Sequence, residues 1–190
     1  ESIFSMKAAE IKVSLQLEKN SVWRRLVVPL NWDFSRIHEI LQTAFGWSDS
    51  HLHEFTIYDK NSQKPVLYLA PAPMVYEYAS QVPMRLETEF KLEDILPVKI
   101  KYTYDFGDNW EHEITVERIM DDFPKINPVC LEGEGDTPPE DVGGPHGYEE
   151  FLNILADVNH PEHEQMKRWG QGHGKRQFDI EYINKRLKSL

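Results

Sequence analysis

Tyr102-Thr-Tyr-Asp-Phe-Gly-Asp-Asn-Trp110-Glu-His-Glu-Ile-Thr-Val116 reads as two alternating strands folded around a tight Asp-Phe-Gly-Asp-Asn turn. Ile100, Tyr102 and Tyr104 fall on one face of the first strand, which starts at Val98. His112, Ile114 and Val116 share a face of the second, which runs to Ile119. The nine residues from Tyr104 to His112 carry three carboxylates, an amide, an imidazole and an indole. An ordinary hairpin does not need that density of polar chemistry. The spacing predicts that Gly107 supplies a positive φ while Asp105, Asp108 and Asn109 close side-chain-to-backbone bonds around it.

Upstream, Ile11, Val13, Leu15 and Leu17 alternate as in a half-buried strand, and 22–28 forms its hairpin partner after Lys19-Asn-Ser21. A helix follows over 33–45. Asn31 or Asp33 caps it, Ile37, Ile40, Leu41, Ala44 and Phe45 recur at its period, and Gly46 ends it. Strands are expected over 52–58 and 66–69, then a proline-broken stretch with a helical turn near Leu92 to Leu96. Residues 131–150 hold five glycines, three prolines, seven acidic residues and no lysine or arginine, so they read as turns. Helices are expected over 148–158, 161–169 and 179–190, with a loop at Gly170-Gln-Gly-His-Gly174. Strands precede helices in blocks, which favours α+β. The expected architecture is a mostly antiparallel or mixed sheet of about five to seven strands packed against several helices. One domain over 1–190 is expected, divided into a strand-rich part (7–131), an acidic loop (132–147) and a helical C-terminal region (148–190).

At 190 residues with 40% hydrophobic and 12% aromatic content, the chain can bury a core without staples. The single cysteine, Cys130, excludes an internal disulfide and suits a reducing cytoplasm. No apolar run reaches the roughly 18 residues of a membrane span, and no secretory signal is visible. The net charge of −11 argues against a general nucleic-acid binder. From Lys167 onward, however, seven basic residues, Lys175 among them, face two acidic ones. That segment either offsets acidic surface elsewhere or touches nucleic acid.

Four segments in order resemble the plasmid pRiA4b ORF-3-like family. They are Val22-Trp-Arg-Arg-Leu26 with Val28-Pro29, and Ile37-His-Glu-Ile-Leu-Gln42 running into Gly46-Trp-Ser-Asp-Ser-His-Leu-His-Glu-Phe55. Then come Tyr104-Asp-Phe-Gly-Asp-Asn-Trp-Glu-His112 and Pro138-Pro-Glu-Asp-Val-Gly-Gly144 with Gly147-Tyr148. The resemblance spans about residues 7–187 and implies a small α+β fold without implying a reaction. No helix-turn-helix or resolvase-like serine segment accompanies it.

Two readings of the polar residues stand side by side. In His51-Leu-His53 both imidazoles share a strand face, roughly 7 Å apart. With His112 as third ligand they can hold a divalent metal, supported by carboxylates from 105–113 or by Glu140 and Asp141. Alternatively these histidines bond loops and pack beside Trp47 and Trp110. In the rigid loop Pro138-Pro-Glu-Asp-Val-Gly-Gly144, Glu140 and Asp141 are either solvated, caps for neighbouring amides, or half of a site facing a metal, a cationic partner, His112, Arg24 or Arg25. Acidic neighbours are expected to hold the Cys130 thiol protonated. The preferred function is a noncatalytic binding module whose polar cleft involves Trp47, Asp105, Asp108, Trp110, Glu111, His112, Glu140 and Asp141. It would recognise a protein, a peptide or a small ligand. The alternatives are a metal-dependent, hydrolase-like enzyme and a nucleic-acid-associated protein.

Overall fold

The computed structural model describes residues 4–77, 81–96, 99–174 and 176–190. Val98, expected to open the hairpin, and Lys175 of the basic segment lie outside them. Among these residues eight strands form one sheet: β1 (Met6–Leu15), β2 (Trp23–Pro29), β3 (His53–Tyr58), β4 (Pro65–Ala70), β5 (Met84–Leu86), β6 (Ile100–Tyr104), β7 (Trp110–Phe123) and β8 (Val129–Glu134). Their order is β5-β4-β3-β6-β7-β1-β2-β8. Every pairing is antiparallel except β4 with β5, so the sheet is mixed. Among the described residues five α-helices accompany it: α1 (Phe34–Phe45), α2 (Ala72–Glu77), α3 (Gly144–Ala156), α4 (His163–Gln171) and α5 (Ile180–Leu187).

The α+β class agrees with the sequence, but the strand count exceeds five to seven. The extra strands sit at the two edges. β5 has three residues and β8 runs through the glycine- and acid-rich stretch, so neither shows a clean apolar alternation. The expected loop at 170–174 begins as the last turn of α4.

One face of the sheet is apolar and the other carries charges. Ile11, Val13, Leu26, Val28, Phe55, Ile100, Tyr102 and Ile114 point inward and are almost fully buried. On the outer face Lys101 meets Glu111 at 3.4 Å, and Arg25 contacts both Glu117 and Glu132. Such exposed pairs contribute little each, and chiefly keep the strand edges in register and soluble.

α1 closes the inner face. The Asp33 side chain accepts the Arg36 amide, and Gly46 at φ 72° returns its N–H to the Gln42 carbonyl, as the sequence predicts. Phe34 meets Phe55 edge-on at 5.0 Å, and Phe45 meets His112 at 4.9 Å. Arg24 is buried between Phe45 and Phe178. It donates to the carbonyls of Trp23, Ala44, Glu134 and Gly135, and burial pulls its pKa down to about 10. Arg24 therefore ties β2 to the chain leaving β8 instead of meeting Glu140 or Asp141. Burial likewise raises the Cys130 thiol to about 11, with neighbouring Arg24 opposing. The cause is desolvation, and the expected acidic neighbours play no leading part.

Candidate functional site

The β6–β7 turn is built differently from its sequence expectation. The left-handed residues are Asp105 (φ 63°) and Asn109 (φ 58°), and Gly107 has no positive φ. The Asp105 side chain accepts the Gly107 amide at 3.0 Å, and the Asp105 carbonyl accepts the Asn109 amide. A short carboxylate that bonds its own backbone tolerates this region at small cost. Among the described residues the other non-glycine positions with positive φ are Asp49, Gln63 and Asp141. All except Gln63 belong to loops meeting at the turn, so the unusual backbone is concentrated in one place.

Three segments converge there: the α1–β3 loop, the β6–β7 turn and the loop ahead of α3. Asp108 accepts the Gly143 amide at 3.2 Å, and a Cβ on Gly144 would stand 2.5 Å from the Asp108 carbonyl oxygen. The glycine permits this approach. Glu140 Oε1 accepts the Ser48 amide at 2.8 Å, the Ser48 hydroxyl at 3.0 Å and the Tyr104 hydroxyl at 3.0 Å. Burial raises the Tyr104 phenol well above its usual range, so it remains a neutral donor.

His51 lies at the centre. Its Nε2 is 2.8 Å from Asp141 Oδ1, 3.6 Å from Asp105 Oδ2 and 3.9 Å from Glu140 Oε2. The 2.8 Å contact is short in distance but out of line for an N–H···O bond, so this nitrogen is shielded from water and unbonded. Donor atoms of His51, Asp105 and Asp141 all lie within 4.8 Å of one another. Donors on one metal ion, at about 2.1 Å from it, stand roughly 3 to 3.5 Å apart. Asp141 is 61% exposed, which leaves the cluster open to solvent.

The structure does not join His51, His53 and His112. His53 Nε2 pairs with the buried carboxylate of Glu87 at 2.7 Å, and its ring stacks on His38 at 3.5 Å. His38 in turn meets the Tyr102 hydroxyl through Nδ1 at 2.6 Å and Asp49 through Nε2 at 2.8 Å. Burial first, and His53 second, lower the pKa of His38. His38, Asp49 and His53 also have donor atoms within 4.8 Å. Each of the nitrogens named already has a hydrogen-bond partner, so this second cluster is a satisfied polar network.

His112 is a core residue. Nδ1 donates to the Tyr102 carbonyl at 3.0 Å, which leaves Nε2 to accept the Trp47 indole N–H at 3.1 Å. Burial lowers its pKa to about 4. Both nitrogens are used, and no ligand position remains. Trp47 and Trp110 are buried and stacked with centroids 5.5 Å apart, forming the floor under the loops. Glu111 falls on the opposite sheet face and pairs with Lys101. Strand alternation next to a buried His112 requires that.

Asp105, Glu140 and Asp141 thus face His51, with Asp108 bonding the Gly143 amide of the loop beside them, while Glu111, His53 and His112 do not join them. The family described as Plasmid pRiA4b ORF-3-like protein matches residues 7–186. The chain belongs to this family. It is 40% identical over 159 residues to "Uncharacterized protein y4hQ" of Sinorhizobium fredii (strain NBRC 101917 / NGR234), covering 84% of this chain and 78% of that one. It also resembles the crystal structure of the protein of unknown function MM3350 from Methanosarcina mazei Go1. There the TM-score is 0.78 at 31% identity, over 94% of this chain and 97% of the other.

In this pRiA4b ORF-3-like chain three of the four segments that carry the resemblance, 46–55, 104–112 and 138–144, also wall the cleft. Ser48 and Tyr104, which position Glu140, were missed as site residues; the alternation of Tyr102 with Tyr104 put Tyr104 in the core. His38 and Gln42 are one helical turn apart, and both meet the Tyr102 hydroxyl. That spacing is a readable signal. Nothing in the sequence around Glu87 announced its pairing with His53.

Proposed function

We propose that the protein is a divalent-cation-binding module, with His51, Asp105 and Asp141 as ligands and Glu140 beside them. The observation that carries this is the His51 Nε2 atom, which is shielded, unbonded and faced by three carboxylates within 3.9 Å. A shielded imidazole nitrogen aimed at carboxylates without bonding them is explained by a cation seated between them. One nitrogen with carboxylate oxygens suits manganese, iron or zinc.

A hydrolytic role would need a free base beside metal-bound water. Glu140 already accepts three donors, from Ser48 and Tyr104. Those contacts suit an oriented charge better than a proton acceptor, so binding is the reading supported over catalysis. The net charge of −11 likewise favours a cationic ligand over nucleic acid. No helix among the described residues is long and apolar enough to cross a membrane. With its lone buried cysteine, the protein fits a reducing cytoplasm. In this reading residues 1–190 act as one unit, because the site draws on both the strand-rich part and the acidic loop.

Elemental analysis of protein purified without added metal, followed by calorimetric titration of Mn²⁺ and Zn²⁺ into chelator-treated protein, tests the proposal. One equivalent is expected to bind. His51→Ala and Asp105→Asn should abolish it; asparagine tolerates the left-handed backbone at this position. His112→Gln should retain it. Absence of saturable binding to folded protein, or binding that survives His51→Ala, overturns the assignment.

A further inference from the structure

Behind the cleft, α3 and α4 flank an open groove of about 360 Å³. It falls at the small end of the range of small-molecule sites, about 300–1,000 Å³. Its wall is apolar and aromatic: Val142, Phe151, Ile154, Met166 and Trp169 line it. Phe151 and Trp169 meet edge to face at 5.7 Å, giving a firm aromatic corner. α4 is held against α3 by His163, whose Nδ1 bonds the Ile154 carbonyl at 3.0 Å, so the groove has a fixed back wall.

The rim is of one sign. Among the described residues Asp141, Glu150 and Glu162 border it and no lysine or arginine does, the nearest guanidinium being Arg176, 5.9 Å from the Phe151 ring centroid. Asp141 contacts His51, but among the described residues neither Glu150 nor Glu162 has an ion-pair partner. A groove with an aromatic floor, edged by two carboxylates that lack an ion-pair partner, disfavours anions and favours a cationic group at its mouth.

We infer that this groove binds a small primary ammonium with an aryl or alkyl body. The apolar body enters between Phe151, Ile154 and Trp169, and the ammonium stays at the mouth between Glu150 and Glu162. There it keeps part of its hydration and the aromatic corner adds a cation–π contribution. The inference is separate from the cation site and shares only Asp141 with it.

The test is calorimetry of 2-phenylethylamine, 2-phenylethanol and 3-phenylpropionate with the full chain, run in EDTA near neutral pH. The amine is expected to bind at least about fivefold more tightly than the alcohol, with the carboxylate weakest, as one partly desolvated ion pair allows. Glu150→Gln and Glu162→Gln should each erase most of the difference between amine and alcohol. Both residues are exposed, so neither change threatens folding. Equal affinity for amine and alcohol overturns the inference, as does no saturable binding of the amine to folded protein up to about 5 mM. Mn²⁺ titration of Glu162→Gln separates the two proposals: metal binding there should survive the loss of amine binding.

Discussion

His112 is fully buried and spends both ring nitrogens inside the core, on Tyr102 and Trp47. Its folded-state pKa of about 4 lies below the ordinary value of 6.5, because burial disfavours the cation. The unfolded chain therefore binds a proton more readily than the folded one. Stability from this residue is complete above pH 6.5 and falls as the pH drops toward 4, by about 3 kcal/mol in total. Urea denaturation of chelator-treated protein across that interval should show this acid loss. His112→Gln should lose stability at neutral pH, since glutamine cannot reproduce both bonds in a close-packed site. Its stability should then fall less steeply, by up to about 1.4 kcal/mol per pH unit. An unchanged slope would assign the acid sensitivity to another group.

At the scale of the element, the exposed edge of the sheet is managed by a side chain. β8 pairs with β2 on one side only, and its other edge meets α5. There Asn184 accepts the Cys130 amide at 2.7 Å and donates to the Cys130 carbonyl at 2.9 Å. The amide group thus stands where a ninth strand would bond, which blocks pairing with a second chain. Asn184→Leu leaves both backbone groups unpaired in a part-buried place. It is expected to cost about 1–3 kcal/mol and to raise concentration-dependent association, read by denaturation and light scattering. Full stability without association would show that water serves Cys130 equally well. The central elements were legible because each carries one clean period: alternation in β1, β6 and the start of β7, and the helical stripe of α1 between Asp33 and Gly46. The edge strands were not. β8 reads Val-Cys-Leu-Glu-Gly-Glu, half of it exposed, and its place depends on Arg24 and Asn184, which lie far away in sequence.

On the scale of the whole molecule, the candidate site is a matter of three loops brought to one end of the sheet. The segments singled out in the sequence converge: Asp105, Glu140 and Asp141 face His51, and Asp108 bonds the loop that carries Asp141. The sequence could not sort the three histidines. Strand alternation puts His51 and His53 on one side, but α1 covers His53 and stops short of His51, a distinction that only tertiary packing makes. Gly144 is where this convergence can be broken without touching a ligand. It has φ 73° and abuts the Asp108 carbonyl, so a methyl group both strains the backbone and pushes the loop from the turn. Asp141, three residues earlier, would move with it. A cation bound at a hundred times its dissociation constant stabilises the fold by about 2.7 kcal/mol. In a chain of 190 residues that raises the melting temperature by about 5–10 °C. Calorimetric scans with and without Mn²⁺ should show this rise in the native protein. Gly144→Ala should melt lower by a few degrees without metal, matching about 1–3 kcal/mol of strain, and should gain much less from Mn²⁺. Metal-dependent stabilisation as large as in the native protein would mean that Asp141 is held independently of the Asp108 contact, and the three-loop description of the site would fail.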